Sequence, residues 1–138
     1  MGDQFCTVAY AMLCERDGPG VDLRITCAGH PSAVIVRADG SVERAGSPGS
    51  LLGAFETLVL ERDEISLMPG DAVVLYTDGL VEARTDRRIV DDAEVEAAAA
   101  RAAGSPAADM LARVESDLLA AGGAPQDDVA IVVARLTA

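Results

Sequence analysis

Apolar positions along this 138-residue chain fall first into short runs and alternations, and only later into helical spacing. Val73, Val74, Leu75 and Tyr76 form a continuous run, which suits a strand covered on both faces. Thr77, Asp78 and Gly79 break that run at its carboxyl end. "FCTVAYAMLC" (Phe5 to Cys14) is apolar at odd and even positions alike and predicts a central strand, closed by the turn residues of "ERDGPG". Val21, Leu23, Ile25 and Cys27 alternate with Asp22, Arg24 and Thr26, predicting a half-buried strand. Gly29, His30 and Pro31 turn the chain into a third strand, "SAVIVRA", and Asp39-Gly40 predicts a hairpin into "SVERA". "GSPGSLLG" reads as a loop, "ETLVLERDEISL" as a long, partly exposed strand, and "MPGD" as the turn before Val73.

The period then changes. "DDAEVEAAAARAAG" predicts an Ala-rich helix with acids at its start and Gly104 at its end. "SPAADMLARVESDLLAAGG" predicts a second, with Ser105 as N-cap, Pro106 at the first helical position and Gly122 past the end. Leu111, Val114 and Leu118 share its packing face. "DDVAIVVARL" predicts a buried closing strand opened by Asp127 and Asp128. Strands, a helix pair and a returning strand define an α+β layered domain, and connections this short disfavour parallel crossovers.

Composition narrows the picture. Half of the residues are hydrophobic, and the length suits one domain, residues 1–138. No apolar run approaches the ~20 residues of a membrane span, and the N-terminus lacks the pattern of a secretory signal. Cys6, Cys14 and Cys27 are odd in number and lack CxxC spacing, which fits core residues of a reduced, cytoplasmic protein. The net charge of −12, from 23 acidic and 11 basic residues, repels phosphate backbones and argues against a nucleic-acid partner. The same excess of acid supplies carboxylates for divalent cations.

"LMPGDAVVLYTDGLVEAR", "CAGHPSAVIVRADG", "SLLGAF" and "QDDVAIVVARL" make an ordered set at sensible intervals. Together they resemble the SpoIIE-like branch of the PPM (type 2C) protein serine/threonine phosphatases, from Phe5 to Leu136. The resemblance implies an antiparallel β-sandwich flanked by helices, in an α-β-β-α order. It also implies two Mn²⁺ or Mg²⁺ ions per complete domain, held by aspartates at strand ends. Asp78 matches the ligand of the family's "TDG" motif and Asp127 the ligand of its terminal "DD" motif. Hard cations prefer such oxygens, and a water between two metals would attack phosphorus without any side-chain nucleophile.

Each residue also has a plain structural reading. Asp78 also reads as a turn residue and Asp127 as a solvated strand opener. Asp128 is not a family ligand position and reads as a turn or pairing residue, and Gly79 as backbone geometry. His30 is a candidate general acid or simply part of a Gly-His-Pro turn. Glu82 and Asp86 are loop charges that could reach a metal through water.

The family's first metal motif, a Gly-Gly-Asp, lies upstream of the strand that matches "FCTVAYAML", and Gly2-Asp3 does not replace it. Ala130 also stands where Thr is common. The expectation is therefore an N-terminally truncated domain, inactive or weakly active, with weak or partial metal binding. The implied substrate is a phosphorylated protein of the anti-sigma-factor-antagonist type in a bacterium, with an upstream sensory domain in the parent protein and no membrane or nucleic-acid partner. Bare apolar strands predict a homodimer of the fragment. The alternative is a non-catalytic module that docks an anti-sigma-factor antagonist or an anti-sigma factor.

Overall fold

The computed structural model describes residues 4–81, 84–85, 88–89, 91–122 and 127–138. Its elements in chain order are β1 (Val8–Glu15), β2 (Val21–Ala28), β3 (Ala33–Val36), β4 (Val42–Ala45), β5 (Pro48–Gly49), β6 (Arg62–Leu67) and β7 (Ala72–Tyr76). They continue with α1 (Asp78–Val81), β8 (Arg84–Thr85), β9 (Arg88–Ile89), α2 (Asp92–Arg101), α3 (Ala107–Gly122) and β10 (Ile131–Arg135). Strands come first, a helix pair follows and a strand returns, as the change of period predicts.

Two sheets form the sandwich. In the first, β2 is central and antiparallel to β1 (Val8↔Ala28 to Glu15↔Val21) and to β6 (Val21↔Leu67 to Thr26↔Arg62). The short β5 adds a parallel pairing, Cys27↔Pro48. The second sheet has the order β10-β7-β3-β4 and is antiparallel throughout. β8 and β9 form a separate small hairpin.

Strand alternation sends side chains into two cores. Leu23, Ile25 and Cys27 of β2 meet Ala33, Ile35, Ala45 and Val73 between the sheets. Val34, Val36, Ala72, Val74 and Tyr76, on the other face of the second sheet, meet Val95, Ala98, Ala99, Ala102, Met110, Val114 and Leu118 of the helical layer. The fold is thus α+β, with an antiparallel sandwich and a helix pair on the second sheet. The outer face of the first sheet carries no helix among the described residues. It presents an Arg24–Glu64 ion pair at 3.0 Å to solvent. No described helix is long and apolar enough to cross a membrane.

Local chemistry explains the helices. Asp91 caps α2 by accepting from the Glu94 amide, while the Glu94 carboxylate accepts from the Asp91 amide, a closed capping box. Asp92 and Glu94 then sit at the positive end of the dipole and Arg101 at the negative end. The Asp39-Gly40 hairpin forms as expected, with Gly40 at φ +88 and the Arg37 amide donating to Ser41 O.

Several expectations need correction. Phe5 to Cys14 is not a central strand among the described residues: there β1 pairs with β2 alone and is exposed along most of its length. β10 is likewise an edge strand, half-buried, with Val132 57% exposed. The long strand of "ETLVLERDEISL" shrinks to Arg62–Leu67, because β2 offers partners only to that part, and Leu58, Val59 and Leu60 lie exposed. Within "GSPGSLLG", Pro48–Gly49 is the two-residue β5. α3 begins at Ala107, one residue later than the cap reading, with Pro106 O accepting from the Met110 amide, and it runs through Gly122. Its buried seam is Met110, Val114 and Leu118, with Leu111 half-buried.

Candidate functional site

β7 runs between β3 and β10 and is covered on both faces, so its carboxyl end is a fixed point from which the next residues project. Thr77 continues the ladder. Its amide donates to Ala130 O at 3.0 Å, its Oγ1 accepts from the Ala130 amide at 2.9 Å and donates to Asp128 O at 3.4 Å. The residue after Asp78 tightens this junction. A Cβ built on the buried Gly79 would stand 2.3 Å from Asp128 O and 3.2 Å from Asp127 O, so only glycine lets the two segments lie this close.

The structure therefore brings Asp78–Gly79 and Asp127–Asp128 together at neighbouring strand ends, although 48 residues separate Asp78 from Asp127 in sequence (positions 79–126). Asp78 opens the short α1, and all three aspartates are exposed. The Asp127 carboxylate accepts from the Asp128 amide at 2.8 Å, which orients it within the turn. His30 lies near the same end of β7. It lines a pocket of about 180 Å³ with Thr77, Ala130, Ala9, Leu75 and Val132. Glu82 and Asp86 lie outside the described residues.

Thr77 is a residue that the sequence reading treats only as a break in an apolar run, and the structure makes it the clasp between the aspartate segments. Its place directly before Asp78, as a hydroxyl continuing a buried strand, is the available signal. A second missed group lies below it. Tyr76 is 1% exposed and donates its hydroxyl to Asp92 Oδ1 at 2.8 Å, while accepting from Arg44 Nη1 at 3.1 Å. Arg44 Nη2 also donates to Asp92 O at 2.9 Å, and its Nε to Glu96. Burial, reinforced by the Asp92 carboxylate, pushes the Tyr76 hydroxyl up to about 12. The phenol, neutral at ordinary pH, ties the strand before Asp78 to the start of α2.

Asp78 and Asp127 are right in kind for a hard divalent cation, which prefers carboxylate oxygens and retains several waters. They are few in number. No group of three or more His, Cys, Asp or Glu side chains placed to hold a metal occurs among the described residues. The donors fit such an ion in chemistry and supply a partial set.

A two-sheet antiparallel sandwich carrying aspartates at adjoining strand ends is the architecture of PP2C-type phosphatase domains. The chain belongs to the family described as Stage II sporulation protein E (SpoIIE), which it matches over residues 1–137. Among solved structures it is similar to the phosphatase domain of the cell fate determinant SpoIIE from Bacillus subtilis, in a manganese-presoaked form. That likeness has a TM-score of 0.72 and 14% identity, and covers 95% of this chain and 56% of that one. It is also similar to the RsbU and RsbW domains of Rv1364c from Mycobacterium tuberculosis, with TM-score 0.62 and 30% identity over 86% of this chain and 33% of that one. A third likeness is to the SiaA-PP2C domain of Pseudomonas aeruginosa, with TM-score 0.68 and 21% identity over 83% and 46% of the two chains. The chain thus spans little more than half the length of the Bacillus structure. A search of curated proteins finds no match.

Proposed function

We propose that this chain is part of a metal-dependent protein serine/threonine phosphatase. Its substrate class is phosphoserine or phosphothreonine on a bacterial regulatory protein of the anti-sigma-factor-antagonist type. The observation that carries the reading is the seating of Gly79 against the Asp127–Asp128 backbone, which sets two oxygen-donor aspartates side by side in a chain of this family. Asp78 and Asp127 would hold Mn²⁺ or Mg²⁺. Such an ion, when bound, supplies charge to polarise phosphoryl oxygens and to acidify water. The chain's own part is positional. Thr77 and Gly79 hold the two aspartate segments in register, and the Asp128 amide orients the Asp127 carboxylate.

Calorimetric titration with Mn²⁺ and turnover of a phosphoserine peptide test the reading. Weak binding of one ion, lost in Asp78→Asn and in Asp127→Asn, is the expected outcome, with turnover far below the ~1–10³ s⁻¹ of ordinary enzymes. Mn²⁺ binding that survives both substitutions would refute the assignment.

With no group of three or more metal-holding side chains among the described residues, a second reading is a module that docks a phosphorylated antagonist or an anti-sigma factor without turnover. Phosphopeptide binding with no Mn²⁺-dependent release of phosphate separates it from the first.

A further inference from the structure

His30 is the chain's only histidine, and it follows a tightly packed glycine. Gly29, at φ +60, leaves room for Leu51, whose Cδ2 would lie 2.3 Å from a Cβ at that position. The Gly29 amide donates to Gly49 O at 2.9 Å, and Gly29 bridges to Val8. The His30 Nδ1 lies 2.9 Å from Pro31 O. A carbonyl only accepts, so Nδ1 carries the proton in that contact and the lone pair of the neutral ring sits on Nε2. Nε2 has no protein partner among the described residues.

The sheet and the pocket it borders say where this ring lies. β3 pairs antiparallel with β7 as Val34↔Val74, Ile35↔Val73 and Val36↔Ala72. β3 begins at Ala33, three residues after His30, and the imidazole lines the same pocket as Thr77, the residue directly before Asp78. On the other side of β7, Ile131↔Tyr76 and the Thr77–Ala130 bonds set Asp128 and Val129 beside Asp78. The pocket that His30 shares with Thr77 also includes Ala130. Its other walls include Ala9, Leu75 and Val132, and Thr77 Oγ1 is already engaged with Ala130 and Asp128. The imidazole, with its Nε2 uncommitted, thus lines a mostly apolar pocket that reaches Thr77 and Ala130, next to the aspartate segments.

We propose that His30 contacts the phosphate monoester directly, with Nε2 and a phosphate oxygen sharing one proton. The contact does not depend on which partner brings the proton: a phosphate monoanion donates to the neutral ring, and an imidazolium donates to the dianion. A site bordered by three carboxylates repels a phosphate, so a neutral or cationic partner in that pocket has a clear use. This rests on the phosphatase reading above, and the test keeps the two apart.

The chain, ¹⁵N-labelled, is titrated with inorganic phosphate in the presence of Mg²⁺. Backbone amides of Gly79 and Ala130 report the aspartate flank, and the single imidazole reports its own nitrogens. The expected result is a saturable Nε2 shift that follows the Gly79 amide, with Nδ1 unmoved. His30→Asn keeps a donor near Pro31 O but removes the distal nitrogen, and should weaken phosphate binding about 10-fold. His30→Gln keeps a distal donor and should weaken it less. A purely structural histidine predicts the reverse order, because Asn preserves the turn. Gly79 and Ala130 shifts with a silent imidazole and full affinity in His30→Asn would overturn the proposal and leave the aspartate site standing. Silence at every reporter would overturn both.

Discussion

β7 and β1 are both nearly unbroken apolar runs, and they meet opposite fates. β7 has a strand on each edge, the inter-sheet core on one face and the helix pair on the other. β1 has β2 on one edge and no strand on the other among the described residues, with Tyr10 62% and Leu13 55% exposed. The difference lies in neighbours and not in hydrophobicity. A run of valines is a core strand only when other parts of the molecule close over it. In this chain one half of the sandwich is closed and the other is open.

The hardest test of that contrast is a charge placed in each strand. Val74→Asp puts an unpaired carboxylate where nothing is exposed, and we expect no cooperative unfolding transition by circular dichroism. Met12→Asp, at a position 40% exposed, should change stability by less than about 0.5 kcal/mol. Comparable losses in both would mean that β1 is covered in solution.

Gly79→Ala comes next. The new methyl would drive Thr77–Gly79 away from Asp128, for about 1–3 kcal/mol of destabilisation in a chemical denaturation curve. Mn²⁺ binding should fall with it. Unchanged stability would show that the two aspartate segments are not packed as described.

Tyr76→Phe removes the hydroxyl between Arg44 and Asp92, for about 1–2 kcal/mol. The same group gives a pH signature. Its folded value near 12 exceeds the unfolded value of 10.0, so the unfolded chain loses the proton first. The stabilisation is complete below pH 10.0 and is lost as pH rises towards 12. Melts across that range should slope less in Tyr76→Phe, and equal slopes would remove Tyr76 as the cause.

The smallest effect concerns association. Phe5 to Cys14 carry no charged side chain, so the net charge of −12 resides elsewhere and the free edge of β1 lacks the usual protection. Antiparallel pairing of β1 with its mate about a two-fold would continue the sheet and cover both faces in part. We expect a homodimer with Kd of about micromolar order by sedimentation equilibrium, shifted towards monomer by Tyr10→Lys. A monomer at ten times that concentration would refute it.

The chain's own pattern shows β7, the alternation of β2, the Asp39-Gly40 hairpin and the acidic start of α2, because each is specified within a few residues. It does not show that β1 and β10 lie at edges, since an edge is defined by what fails to pair. The tail of "ETLVLERDEISL" pairs with β2 and its head does not, because the last two residues of β2, Cys27 and Ala28, pair with β5 instead. Asp78 and Asp127 stand out through motif resemblance. Their adjacency comes from the β10–β7 register, and Thr77 and Tyr76 gain meaning only once that register is known. His30 reads in sequence as a turn residue or an acid, and its closeness to Thr77 is a product of the sheet.

The Tyr76–Asp92 bond joins the residues that bracket positions 77–91. Seen as a ring, that segment has its closure supplied by the scaffold, outside its own sequence. The entropy of closing such a ring grows only logarithmically, about 0.6 kcal/mol for each doubling of length. Insertions or replacements between Val81 and Asp91 should therefore cost the sandwich little, provided Tyr76, Arg44 and Asp92 remain. Descendants of this chain can vary the segment that follows the aspartate without renegotiating the fold beneath.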